Sequence, residues 1–142
     1  MKKESPEHTR KKMQAVKNSV SKIETALAKA LWNRGHRYRK NDRSVFGTPD
    51  LTFKQLRIAI FVDSEFWHGK NWEVRKYDHK SNQQFWYEKI ENNIMRDKIV
   101  NQNLKENGWY ILRFWGKDIE GNLNECVKKI EEAKNKVKKN SA

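Results

Sequence analysis

The fold is decided by one stretch of the chain, LTFKQLRIAIFVD at residues 51–63. It holds two apolar runs, residues 51–54 and 56–63, joined by a short polar step at Lys54 and Gln55. Two apolar runs so close together predict an antiparallel pair of strands, and the second run is apolar enough for the centre of a sheet. A central strand is a rigid platform for the residues at its ends.

A helix is predicted before this pair, in the segment at residues 21–35. Ser21 and Glu24 have the S-x-x-E spacing of a capping box, in which the glutamate bonds back to the cap, so we expect the helix to begin at Ser21. Apolar residues recur behind this box at helical spacing, and Gly35 supplies the stop.

The remaining elements alternate between helices and strands. After the strand pair and a long aromatic, basic and polar loop, the pattern predicts a helix at 84–107, a strand at 109–115 and a charged helix from 122. This succession of helices and strands predicts an α/β fold with a mixed β-sheet flanked by helices. At 142 residues the chain fits a single domain, since domains most often have about 100–150 residues.

Charge is the strongest signal in the composition. The chain carries 31 Lys+Arg against 18 Asp+Glu, a net charge of +13 with a pI near 9.9. A small basic domain of this kind is typical of nucleic-acid binding, because neutralised phosphates release counterions. Both ends are basic and could follow a phosphate backbone, so we divide the chain into an N-terminal arm at 1–20, a core at 21–120 and a helix or tail at 121–142.

Other classes of protein are excluded by composition. The mean hydropathy is −1.09, and no run approaches the ~18 apolar residues that a transmembrane helix needs. The basic start has no apolar run or cleavage site behind it, so we expect a cytoplasmic protein. Cys126 is the one cysteine, which excludes an internal disulfide and a zinc site built from several thiolates.

Two polar residues stand out against their neighbours. Asp97 lies seven residues from both Ile90 and Leu104, on the apolar stripe of its predicted helix, where a carboxylate needs a cation, a metal or a hydrogen-bond donor. His68 lies in the long loop, and an imidazole held by a carboxylate can take a proton from water. An ion pair at the stripe's edge would explain Asp97 alone, and a structural role would explain His68 alone. A pair between a buried Asp97 and His68 explains both.

Two more carboxylates have both a functional and a structural interpretation. Glu24 shares a helical stripe with Leu27 and Leu31 and could face a site, although the capping box explains it better on its own. Asp50 follows Gly-Thr-Pro and opens a strand, a position from which carboxylates of phosphodiesterases bind metal. A turn aspartate that bonds its own backbone is the alternative for Asp50.

Taken in order, several motifs resemble those of the very-short-patch repair (Vsr) endonucleases. The motifs are GxPD at 47–50, IFVDxxFWHG at 60–69, FWxxKIxxNxxRD at 85–97 and GWxxxxxW at 108–115, preceded by KMxxVKN at 12–18 and LWxxGxxYR at 31–39. Together they cover roughly residues 10–116 and form a specific set. The resemblance implies a restriction-endonuclease-like fold, related to the PD-(D/E)xK nucleases.

The resemblance also implies an activity. Enzymes of this family use Mg²⁺ to nick one strand of duplex DNA beside a T·G mismatch, with 5′-phosphate and 3′-hydroxyl product ends. The catalytic residues implied here are a metal-binding Asp50 with the backbone carbonyl of Val62 as a second ligand, a water-activating His68 supported by Asp97, a helical Glu24 near the site, and Asp63, at a position that is His or Asp in the family.

DNA contacts are implied in the same way. Phe66, Trp67 and Trp86 match aromatic residues that such enzymes insert into the base stack beside the mismatch, where unstacking costs less; hydrophobic core is the other interpretation. The basic residues assigned to DNA are Lys12, Lys17, Arg39 and Lys40. A nick needs one active site, so we expect a monomer on double-stranded DNA.

The sequence departs from the family in one region. Familiar members hold a structural zinc with Cys and His around the FWH segment, whereas this chain has Glu65, Lys70, Asn71 and Trp72 there, and Gly116 after the last strand. We therefore expect no structural zinc, and packing of Trp72 is one way to hold the loop. Homing endonucleases with the same site pattern make a homing or restriction-type enzyme acting on matched DNA the alternative function, ahead of a non-catalytic DNA binder.

Overall fold

A computed structural model gives the fold. It describes residues 6–65, 68–70 and 83–141, with side chains in 20–65, 68–70 and 87–139. The elements in chain order are α1 (Pro6–Asn33), β1 (Arg39–Lys40), β2 (Leu51–Phe53), β3 (Ile58–Asp63), α2 (Gln83–Glu106), β4 (Tyr110–Trp115), α3 (Gly116–Gly121) and α4 (Leu123–Ser141). No helix in these ranges is long and apolar enough to cross a membrane.

The sheet is mixed and has the strand order β1-β2-β3-β4. The pairs β1–β2 and β2–β3 are antiparallel, whereas β3 and β4 are parallel, with Ile60 opposite both Leu51 and Leu112. Every residue of β3 is buried, as the apolar run predicts for a central strand. The predicted fold is confirmed: a single small α/β domain with helices on a mixed sheet, consistent with the restriction-endonuclease-like architecture.

The core has two layers because the side chains of β3 alternate between the faces of the sheet. Ile58, Ile60 and Val62 pack with α1 and α4, which contribute Leu27, Leu31, Val127 and Ile130 among other buried residues. Ala59 and Phe61 point to the opposite face and pack with α2. The end of β3 therefore lies between α1 on one side and α2 on the other, and residues from both helices can meet there.

Helix α1 corrects one prediction. It begins at Pro6, so Ser21 and Glu24 lie inside a helix and do not form its cap. The segment from 6 to 20 contains no glycine or internal proline to interrupt the helix, and proline is favoured at a first helical position. Most of the predicted arm at 1–20 is therefore the first half of α1; its side chains lie outside the described residues.

Two connections also differ from the sequence-based prediction. The step between β2 and β3 is a full turn in which the Arg57 amide donates to the Lys54 carbonyl, so β3 begins at Ile58 rather than Leu56. After β4 the chain forms α3 before α4 begins at Leu123. Helix α3 has six residues, too few for helical periodicity to show in a sequence.

Candidate active site

All five predicted catalytic residues line one cleft at the end of β3, with a volume of about 630 Å³. Each comes from a different part of the chain: Glu24 from α1, Asp50 from the start of β2, Asp63 from the end of β3, His68 from the loop behind it, and Asp97 from α2. The cleft also includes Val62 and Arg113. The fold thus brings together side chains that are widely separated in the sequence.

Asp50 is held by the neighbouring strand. Its Oδ2 accepts a hydrogen bond of 2.6 Å from the amide of Val62. The turn before it lies close to α2 at Gly47, which has a φ of 81° and where a Cβ would come within 2.5 Å of the Val100 side chain. A larger residue at Gly47 would force the turn or the Val100 side chain to shift. Burial raises the pKa of Asp50, although the hydrogen bonds from Val62 and Glu24 oppose the shift.

Glu24 faces Asp50 across the cleft. Its pKa is raised to about 7 by burial, by the charge of Asp50 and by a hydrogen bond to Asp50, against an opposing contribution from Lys40. Two carboxylates in hydrogen-bond contact must share either a proton or a cation. Their oxygen atoms are the ligands that hard divalent cations prefer, so this pair fits such an ion.

His68 and Asp97 form the predicted pair. The Nδ1 of His68 is 2.6 Å from Oδ2 of Asp97. When Nδ1–H donates to this carboxylate, Nε2 keeps its lone pair and can accept a proton. Asp97 is only partly buried, whereas the sequence predicted a buried carboxylate. Its side chain is 22% exposed at the edge of the cleft. The loop that carries His68 packs on α2 through Gly69, where a Cβ would collide with Ile94.

The environment of His68 favours its charged form. Burial alone would lower its pKa, but the hydrogen bond to Asp97 and the charges of Asp63 and Asp97 outweigh burial and the repulsion from Arg113. The net pKa lies above the ordinary 6.5. A proton accepted here is therefore stabilised by the residues that hold the ring.

Arg113 contacts both Asp63 and Asp97, and the sequence-based reasoning missed it. Its Nη1 donates to Oδ1 and Oδ2 of Asp63 at 2.9 and 3.2 Å, and its Nε donates to Oδ1 of Asn101 at 2.7 Å. The same Nη1 lies 3.5 Å from Oδ1 of Asp97. The guanidinium also stacks 4.1 Å from the ring centre of Phe61. A lone arginine in the apolar run WYILRFW was the signal that could have identified it.

Arg113 also separates the two halves of the cleft electrostatically. Ligand atoms of Asp63, His68 and Asp97 lie within 4.8 Å of one another, a spacing that could hold a metal ion. However, the Arg113 guanidinium already supplies a positive charge to Asp63, whose pKa is raised by burial and lowered by Arg113. Across the described part of the chain, no ion pair joins Glu24 or Asp50 to a basic side chain. The Glu24–Asp50 half could therefore also hold a cation, with no basic side chain to displace.

Comparison with known proteins identifies the family. A family model described as DNA mismatch endonuclease Vsr matches residues 1–74. The chain is 58% identical over 134 residues to the Type II nicking enzyme V.HpaIIP of Haemophilus parainfluenzae, with 94% of this chain and 95% of that protein covered. The chain belongs to the Vsr family. It is also 34% identical over 105 residues to the DNA mismatch endonuclease Vsr of Escherichia coli (strain K12), with 74% of this chain and 67% of that protein covered.

Membership of the Vsr family makes this chain a DNA endonuclease, and the resemblance drawn from its motifs is confirmed. DNA is therefore its substrate. A nuclease family of this kind implies a divalent metal ion, which agrees with the oxygen-rich pair at Glu24 and Asp50.

Only some of the predicted DNA contacts of this Vsr family chain fall within the described structure. Phe66 and Trp67 lie outside it, and Lys12, Lys17 and Trp86 are described in backbone only. Arg39 and Lys40 are exposed on β1, at the edge of the sheet. The charge of Lys40 lowers the pKa of Glu24, which places this edge beside the cleft.

The loop that carries His68 is fastened at Glu65. Oε1 of Glu65 accepts a 2.7 Å hydrogen bond from the backbone amide of Lys117, and the Glu65 carbonyl accepts from the Lys70 amide. The Lys70 ammonium lies 5.6 Å from the ring centre of Trp115. Glu65 thus joins the loop to the end of β4. Trp72, proposed for this role from the sequence, lies outside the described residues.

Replacing Arg113 by Met is expected to lower the free energy of unfolding by about 3 kcal/mol, because it leaves the buried Asp63 carboxylate with only the His68 ring, 3.6 Å away, as a source of positive charge. The Asp63 side chain is 8% exposed, so water cannot replace the guanidinium. Chemical denaturation measures the change, with the exposed Arg43→Met as a matched control within about 0.5 kcal/mol of wild type. Adding Asp63→Asn to Arg113→Met should recover part of the loss; additive effects of the two substitutions would contradict the coupling.

Proposed function

We propose that this chain hydrolyses one phosphodiester bond of duplex DNA beside a T·G mismatch, in a reaction that depends on Mg²⁺. The observation that carries the proposal is a single cleft that combines a facing carboxylate pair with a carboxylate-held histidine. The names of its relatives support it: the protein from Haemophilus parainfluenzae is called a nicking enzyme, and the one from Escherichia coli a mismatch endonuclease.

Asp50 and the backbone carbonyl of Val62 would hold the metal ion. The Val62 amide already faces Asp50, and the amide and carbonyl of one strand residue point to the same side, which directs the carbonyl toward the same position. Glu24 adds a third oxygen ligand to this side of the cleft. Its pKa is raised to about 7, and a cation beside it would favour loss of its proton. A bound divalent ion supplies positive charge that stabilises the charge developing on the phosphate.

His68 is the proposed general base. Its Nε2 accepts a proton from the attacking water while Nδ1 remains bonded to Asp97. Asp97 fixes the orientation of the ring and stabilises the imidazolium that forms. Arg113 holds Asp63 and lies close to Asp97, so we assign it a positioning role rather than a catalytic one. The activated water attacks phosphorus and the bond from phosphorus to the 3′ oxygen breaks; this oxygen takes up a proton from solvent, which leaves a 5′-phosphate and a 3′-hydroxyl.

The mismatch is read by aromatic residues in this proposal. Phe66, Trp67 and Trp86 insert beside the T·G pair, which costs less to unstack than a matched step. Arg39 and Lys40, at the exposed edge beside the cleft, contact the phosphate backbone. Lys12 and Lys17, in the first half of α1, are assigned to phosphate contacts as well. A monomer supplies one such site and so makes one nick.

Cleavage of a strand-labelled duplex tests the proposed activity. We expect a nick in one strand of duplexes that contain a T·G pair, in the presence of Mg²⁺, and no cleavage in EDTA. Several sequence contexts should be compared, so that a preference for particular flanking bases is detected. Equal cleavage of matched duplexes would contradict the mismatch requirement and favour the restriction-type alternative, which the nicking-enzyme names of several relatives also fit.

The pH dependence of cleavage tests the general base. Because His68 must be neutral to accept a proton and its pKa is raised, we expect the rate to rise with pH through a midpoint above 6.5. Asp97→Asn removes the hydrogen-bonded charge, so the midpoint should move to lower pH and the plateau rate should fall. Single-turnover rates measured from about pH 5 to 9 give both quantities. An unchanged midpoint in Asp97→Asn would contradict the assigned pair.

A further inference from the structure

We propose that a basic groove at the β1 edge of the sheet is a second DNA-binding site, which takes the phosphate backbone of the same duplex a few nucleotides from the cleavage position. The inference rests on the proposed function for the location of the DNA in the cleft. It adds a surface that the predicted DNA contacts do not include, apart from Arg39 at its rim.

The composition of the groove points to a polyanion. The groove has a volume of about 620 Å³ between the sheet edge and α4. Its eleven lining residues include five basic side chains and no acidic one. The basic residues are Arg37, Arg39, Lys54, Lys134 and Lys138. Convergence of several cations on one concave surface is the electrostatic footprint of phosphate binding.

One wall of the groove is fixed in place by a network on α4. The Nε2–H of His36 donates to Oε2 of Glu131 at 2.8 Å, and its Nδ1 accepts from Nζ of Lys134 at 2.7 Å. Lys134 also lies 4.5 Å from the ring centre of Phe53. Its side chain is therefore ordered before any ligand arrives. A side chain that is already ordered loses less conformational entropy when it binds a phosphate.

Unrelieved positive charge remains in the groove. Burial and the nearby charge of Lys138 lower the pKa of Lys134, and the opposing attraction of Glu131 does not cancel them. Glu131 itself is paired with Arg34 and His36. A phosphate diester bound between the two lysines would relieve this repulsion. By contrast, Lys128 on the same helix pairs with Glu125 at 3.6 Å.

Strand β1 connects the groove with the active site. Its two residues point to opposite sides: the charge of Lys40 acts on Glu24 in the cleft, whereas Arg39 lines the groove. Along β2, the four-residue step from Asp50 to Lys54 spans about 13 Å at about 3.3 Å per residue. A DNA strand covers that distance in about four nucleotides at about 3.4 Å each. One duplex can therefore reach both sites.

Binding measured without cleavage tests the groove independently of the proposed activity. The test variant is Lys54→Gln with Lys138→Gln, since both side chains are exposed and Lys54 makes one exposed hydrogen bond to Ser44. The matched control is Lys128→Gln with Lys129→Gln, which removes the same charge from the same protein outside the groove. Fluorescence anisotropy in EDTA gives Kd for a T·G duplex that extends well beyond the mismatch on both sides.

The salt dependence of Kd is the deciding quantity. Removing one phosphate contact lowers the slope of log Kd against log salt by about 0.9, so the groove variant should show a slope lower by about 2 than wild type. Between about 50 and 200 mM salt, its Kd should then rise about tenfold less than that of wild type. The control variant should keep the wild-type slope. Equal slopes in the two double variants would overturn the proposal.

Duplex length gives a second readout. The groove contacts one flank of the target, so the difference between groove variant and control should disappear when the duplex is cut back on that flank and persist when it is cut back on the other. A difference that survives both truncations would overturn the proposal, because it would reflect net charge and not a defined contact. Neither result depends on whether the enzyme nicks the mismatch.

Discussion

Replacing Asp50 by Asn is expected to lower the single-turnover rate of DNA cleavage about 10³-fold or more, because the metal ion supplies several kcal/mol of transition-state stabilisation. The substitution removes the negative charge of a metal ligand and keeps its shape. An Asn oxygen can still accept the hydrogen bond from the Val62 amide, so the start of β2 should keep its position. The loss is therefore one of chemistry and not of folding.

Two controls separate these effects. Asp118→Asn removes a carboxylate of the same type from the exposed surface of α3 and should cleave like wild type. Asp50→Asn should still bind the T·G duplex in EDTA, with an affinity close to that of wild type under the same conditions. Cleavage by Asp50→Asn within a few-fold of the Asp118→Asn rate would show that Asp50 is not the principal metal ligand.

Replacing His68 by Ala is expected to lower the cleavage rate about 10²–10⁴-fold, the usual contribution of a general base. The variant also removes the group whose raised pKa sets the pH profile, so the rise in rate above pH 6.5 should be lost. Added imidazole should restore part of the rate by entering the space left beside Asp97. An unaltered pH profile in His68→Ala would assign the proton transfer to another group.

The sequence predicted the centre of the fold well because local pattern and tertiary role agree there. The apolar run of β3 can only be buried on both faces, and it is. The pairing of His68 with Asp97 was also predictable, since the carboxylate lies on the same helical stripe as Ile90, which is fully buried, and so must face inward. Its partial exposure could not be predicted, because the cleft is formed by elements distant in sequence.

Glu24 shows where a local motif misleads. The S-x-x-E pattern occurs here inside a helix that begins at Pro6, so no free amides exist at Ser21 for a cap to satisfy. The competing interpretation from the stripe with Leu27 and Leu31 was right about direction, since both leucines are fully buried and Glu24 faces the cleft beside them. Helical periodicity extends over several turns, whereas the S-x-x-E pattern spans only four residues and can arise by chance inside a helix.

The partners of Arg113 and Glu65 could not be predicted from the sequence, for a different reason. Their partners, Asp63 and the Lys117 amide, are 50 and 52 residues away and are brought near by the parallel pairing of β3 with β4. Nothing in either local segment specifies that register. Once the pairing is known, Asp63 lies opposite Trp115, and an arginine two residues earlier on β4 projects from the same side of the sheet.

The central claim is that the divalent ion is held by Asp50 and not by the cluster of Asp63, His68 and Asp97. Titration of Mn²⁺ followed by electron paramagnetic resonance tests it directly in wild type, Asp50→Asn and Asp63→Asn. We expect Asp50→Asn to lose at least about 1.4 kcal/mol of binding, a tenfold weaker Kd, and Asp63→Asn to keep the wild-type affinity. Wild-type affinity in Asp50→Asn together with loss in Asp63→Asn would contradict the account and move the metal to the other half of the cleft.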